Sequence, residues 1–95
     1  MKIPSKLKVG GHIVKVSMVD NIPDTNSACG LYNIKENHIF LDKNQVQTQL
    51  EASFLHEVFH SINILLPEEQ IEFLSQSLYQ ILKDNKLLFD GVKNG

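Results

Sequence analysis

The chain has 95 residues, 42% of them apolar and 21% charged, and a formal charge of −2. That length supports one domain with one modest core, and the near balance of charge gives no footprint for nucleic acid or an anionic membrane surface. No apolar run approaches a membrane span, and the single Cys29 excludes an internal disulfide framework.

The opening Met1-Lys2-Ile3-Pro4 lacks the apolar stretch of a secretion signal, so a reducing cytosol is the expected setting. Leu7 to Val16 nearly alternates around Gly10-Gly11 and predicts a β-hairpin, with glycine supplying the positive φ of the turn. His12, beside that turn, reads as an exposed strand-end residue, since no ligand partner is spaced from it. Asp20 to Ser27 is rich in turn formers and predicts a loop. Ala28–Ile34 and His38–Leu41, separated by Lys35-Glu36-Asn37, predict a second hairpin. Gly30 inside the first of these runs marks a bulge or a close backbone approach. Cys29 reads as a small buried hydrophobe, and no Cys–His spacing gives His38 a sharper role.

The first helix is expected to start at one of two capping-box patterns, Thr48-x-x-Glu51 or, a turn earlier, Asn44-x-x-Gln47. It should run to Leu65 or Leu66, where Pro67 stops it and opens a second helix. Glu68 and Glu69 suit that helix's first turn. Ile71, Leu74, Leu78, Ile81 and Leu82 follow at helical spacing to about Asp84-Asn85. The short connection predicts antiparallel neighbours. Residues 1–95 are therefore read as one α+β domain, a small twisted antiparallel sheet of two hairpins packed on two antiparallel helices. Its core covers about residues 7–88, with a frayed tail at 90–95.

Within the first helix lies His56-Glu57-x-x-His60. Residues four apart stack on one helix face, so both imidazoles can address one metal ion. Glu57 projects about 100° further round, placed to act on a water and not to ligate. With His56 at zero on the wheel, Phe54, Leu55, Val58, Phe59, Ile62, Leu65 and Leu66 fall in an arc from about 160° to 300°. The histidines border that stripe on its polar side.

A catalytic zinc takes three protein ligands and leaves a position open. His60 lies about five residues before the expected helix end, so its antiparallel counterpart is Glu72, about five residues into the next helix. Glu72 ranks first as third ligand, Glu68 second, and Glu69, which points away, third. Tyr79, about two turns beyond Glu72, could reach an oxyanion but reads better as a partly buried structural residue.

Phe54-Leu-His-Glu-Val-Phe-His-Ser-Ile62 followed by Glu72-Phe-Leu-Ser-Gln-Ser-Leu-Tyr-Gln80 resembles small phage-type zincin-like metallopeptidases, similar to a minimal ImmA/IrrE-type metallopeptidase domain. Gly30–Asn33 and His38–Asp42 resemble the strand pair that precedes the active helix there. The resemblance implies a minimal zincin-like fold, His56, His60 and Glu72 as Zn2+ ligands, and Glu57 as general base. It implies a phage- or prophage-encoded zinc metallopeptidase in the cytoplasm of a bacterial host. If one strand of the second hairpin forms a sheet edge beside the cleft, a peptide or protein substrate could add to it by main-chain hydrogen bonds. The interval from His60 to Glu72 is shorter than in larger relatives, and the elements that shape their clefts are absent. Two rivals follow: a zinc-stabilised interaction module without catalysis, and a metal-free domain in which the motif is chance.

Overall fold

The computed structural model describes residues 1–22 and 29–87. The elements are β1 (Lys6–Val9), β2 (His12–Val19), β3 (Gly30–Asn33), β4 (His38–Asp42), α1 (Gln47–Ile62) and α2 (Glu68–Asp84). The fold is α+β as the sequence implies. Most of the loop expected at 20–27, the start of the second hairpin at Ala28, and the tail at 90–95 lie outside the described residues.

Both hairpins form. Gly10 makes the first turn at φ +61°, and Asn37 takes φ 53° in the second, a conformation that asparagine tolerates better than most residues. The all-antiparallel expectation needs one correction: the strand order is β1-β2-β4-β3, and β2 pairs with β4 in parallel. The reason lies in the strands themselves. β4 buries Ile39 and Leu41 completely and carries Phe40 between them, so it suits the central position. β3 contains Gly30 and Asn33 and takes the edge.

One face of the sheet, with Val14, Val16, Ile39 and Leu41, meets Leu50 and Phe54 of α1 in the core. The buried line on α1 is Leu50, Glu51, Ser53, Phe54 and Glu57. This corrects the expected arc. Leu55, Val58 and Phe59 are half-buried and Ile62 is exposed, because α1 rests on the sheet through the flank that carries Glu57. Helix α1 also ends earlier than expected. Asn63 is extended (φ −146°, ψ 100°), and its side chain accepts a hydrogen bond from Leu65 N–H, a local turn that competes with the helix.

Neither capping box forms, since the residue preceding α1 is Val46 and makes no side-chain cap. Glu51 turns inward instead of back to the helix start. The Gln45 amide ties this corner together by donating to the carbonyls of Cys29 and Asp42. Cys29 itself is exposed, contrary to expectation; it lies just outside β3, where α1 reaches its sulfur through the amide of Gln49.

Helix α2 packs mainly on α1. Only Ile71 and Ser75 are buried along it, while Leu74, Leu78 and Ile81 of the expected stripe are exposed. A helix with one neighbour buries one narrow line. It ends near Asp84 as expected, with Lys86 left-handed at φ 58° and Leu87 N–H reaching back to Leu82 C=O, a Schellman ending made without glycine. Among the described residues no helix is long and apolar enough to cross a membrane.

Candidate metal centre

The two helices are antiparallel, and their register can be read from side-chain pairs. His60 meets Glu68, His56 meets Glu72, and Glu51 meets Tyr79. Because α1 stops at Ile62, the register is one turn away from the expected one. Glu68 therefore stands opposite His60, where the sequence suggests Glu72, and Glu72 stands opposite His56.

The imidazoles of His56 and His60 lie with ring centroids 5.0 Å apart. Both face an open cleft of about 680 Å³ between β3, α1 and α2. The Glu68 carboxylate bridges them: one oxygen is 2.8 Å from His56 Nε2 and the other 2.9 Å from His60 Nε2. Glu72 Oε1 lies 2.9 Å from the other nitrogen of His56, Nδ1, and its second oxygen accepts from Gln76. Glu69 is exposed and is not among the residues lining the cleft.

This donor set fits a divalent cation. One atom from each of His56, His60 and Glu68 can be chosen so that all lie within 4.8 Å of one another. Donors around a tetrahedral zinc with bonds of about 2.0–2.1 Å are about 3.3 Å apart; the Glu68 oxygens already stand closer than that to the two Nε2 atoms, and an exposed side chain can draw back to admit an ion between them. Two imidazoles and a carboxylate suit zinc, and other first-row divalent ions as well. Glu72 on Nδ1 is the kind of outer carboxylate partner that fixes a ligating histidine's ring orientation.

Glu57 is only 7% exposed. It lies against β3, where its carboxylate accepts a hydrogen bond from Tyr32 N–H. Burial pushes its carboxyl up to about 7; the charge of Glu68 acts in the same direction, while His56 and Tyr32 N–H oppose it. A carboxyl so placed can accept a proton near neutral pH and release it again.

The remaining sequence candidates fall elsewhere. His12 is exposed at the start of β2. His38 stacks on Phe40 and contacts Ser17 Oγ at 2.7 Å, on the sheet face opposite Ile39 and α1. Tyr79 donates to Glu51 at 2.6 Å, away from the histidines, and burial together with this carboxylate partner pushes its hydroxyl up to about 12. It is the partly buried structural residue of the two options.

Sequence reasoning missed the contribution of the β3 backbone. Asp42 N–H donates to Cys29 C=O, so the mutually bonded pairs are 29/42, 31/40 and 33/38. Gly30 and Tyr32 therefore turn their N–H and C=O groups outward, along the cleft. The signal for this was the glycine in a short strand, marked as a possible close approach but without a partner. Comparison with family models, curated proteins and solved structures returns no match to this chain.

Proposed function

We propose that this chain is a zinc-dependent metallopeptidase, with His56, His60 and Glu68 as the metal-holding set, Glu72 orienting His56, and Glu57 as general base. The observation that carries the reading is a buried carboxyl, Glu57, beside two imidazoles and a carboxylate whose donor atoms converge. Zinc held there would polarise a scissile carbonyl and lower the pKa of its water to about 7. Glu57 takes the proton of the attacking water and passes it to the leaving amine as the C–N bond breaks. The outward N–H and C=O of Gly30 and the outward C=O of Tyr32 give an extended peptide a strand to pair with along the same cleft. The resemblance noted above and the lone cysteine support a phage- or prophage-encoded protein working in a bacterial cytoplasm.

One observation favours a second reading. Every contact of the histidines with Glu68 and Glu72 joins α1 to α2, and α2 buries only two residues. A metal there could act as a staple in a non-catalytic interaction module. Two variants separate these readings. Under the peptidase reading, Glu57→Gln retains zinc and loses cleavage of fluorescently labelled casein. Under the staple reading the parent cleaves nothing, Glu57→Gln changes no function, and His60→Ala unfolds the domain.

A further inference from the structure

We propose that Gly30 is a positioning residue for Glu57, holding the carboxylate against the β3 edge by having no side chain of its own. Glycine in a strand interior weakens the strand and needs a reason. The backbone does not supply one here. Gly10 is the glycine with positive φ, and Gly30 is not in that region. Space supplies it. A Cβ at position 30 would lie 3.1 Å from Glu57 Cγ, 3.2 Å from Glu57 Oε2 and 3.1 Å from Leu41 Cδ2.

All three contacts are tighter than ordinary van der Waals separation, and two of them are to one side chain. Leu41 is fully buried and cannot retreat without disturbing the core. Glu57 lies at the cleft, so it is the group that would move. The position it would leave is defined from the other side by Tyr32 N–H, which the carboxylate accepts. Gly30 provides the room and Tyr32 the donor, two residues apart on the same edge. A methyl group at position 30 would force its neighbours to give by a few tenths of an ångström, and with Leu41 held by the core the Glu57 carboxylate would shift on its Tyr32 donor and weaken that hydrogen bond.

The consequence for turnover rests on the reading of Glu57 as general base; the contact itself does not. The experiment therefore has an arm that needs no activity. Amide hydrogen exchange at Tyr32 is measured by NMR in the full chain, for the parent, Gly30→Ala, Leu41→Val and the Gly30→Ala/Leu41→Val double variant. Leu41→Val removes the other close neighbour, so the double variant separates crowding of the core from displacement of Glu57. It also stands in if Gly30→Ala alone does not fold.

Tyr32 N–H should exchange about tenfold faster or more in the double variant than in Leu41→Val, with the amide of Leu31, bonded to β4, unchanged. In the zinc-loaded proteins, casein cleavage should show kcat down about tenfold or more with KM and zinc content retained. Unchanged Tyr32 exchange in the double variant would overturn the proposal, as would full recovery of kcat on adding Leu41→Val to Gly30→Ala. A parent that binds zinc but cleaves nothing defeats the peptidase reading, and the exchange arm still decides the Gly30–Glu57 contact.

Discussion

Helix α1 buries two carboxylates six residues apart, and they are treated in opposite ways. Both are largely out of contact with solvent, Glu51 at 5% and Glu57 at 7% exposed, but Glu57 lies much deeper among protein atoms than Glu51. Burial raises the Glu51 carboxyl, but hydrogen bonds from Tyr79 and Gln47 and the charged α-amino group of Met1 more than offset it, and the net shift is downward. For Glu57, burial prevails, and the carboxyl is pushed up to about 7. A buried carboxylate with its donors supplied is a structural joint, here between α1, α2 and Met1. One buried more deeply and left short of donors holds its proton more tightly, at a cost in stability, which is the condition the proposed general base requires.

The largest effect that would break this comparison is on turnover. Glu57→Gln should reduce peptide cleavage by about 10²–10⁴-fold, the usual weight of a general base. Similar loss from Glu51→Gln, in protein that remains folded, would mean the two carboxylates had been assigned the wrong way round.

Metal affinity comes next. Glu72→Gln should weaken zinc binding by about 10–100-fold, as expected for an outer partner. Glu68→Gln should weaken it more. Competition with a chromogenic chelator measures both, and the opposite order would restore Glu72 as the ligand.

Stability follows, and its pH dependence has a different sign at each carboxylate. Glu57 has a raised folded-state value, so its contribution is fully present below about pH 4.5 and is lost as pH rises through about 7. In metal-free protein, Glu57→Gln should therefore be more stable than the parent above pH 7, by on the order of 2 kcal/mol. Glu51 has a lowered value, so its contribution is present above the ordinary carboxylate range and is lost on acidification below it. Glu51→Ala should cost roughly 3 kcal/mol at neutral pH, because it leaves a buried donor cluster without its acceptor. Urea unfolding from pH 4 to pH 8 reads both effects. Parallel pH profiles for the two variants would remove the contrast.

The smallest effect sharpens the comparison. Tyr79→Phe removes one of Glu51's donors and should cost about 1 kcal/mol, with zinc binding and turnover unaffected. A loss of turnover would return Tyr79 to the site.

What was legible in the sequence was local. The Gly10-Gly11 turn, both hairpins, both helices and the shared face of His56 and His60 follow from spacing within a few residues. The parallel junction of β2 with β4 was not legible, since it depends on which strand of the second hairpin has enough apolar surface for the centre of the sheet. Which of Glu68 and Glu72 stands opposite His60 turned on one residue. Asn63 breaks α1 a turn earlier than Pro67 would, and that turn shifts the helix register past His60. Glu51 read as a capping residue because its partners, Met1 and Tyr79, are far away in sequence. Gly30 announced a close approach without naming Glu57, for the same reason.

Calorimetric titration of zinc into the metal-free parent and into His60→Ala, both without an affinity His tag, is the most direct test of the metal centre. The parent should take up one equivalent per chain with a rise in its unfolding temperature, and His60→Ala should show neither. Uptake below about half an equivalent by the parent, or equal uptake by the variant, would contradict a cation held by these two helices.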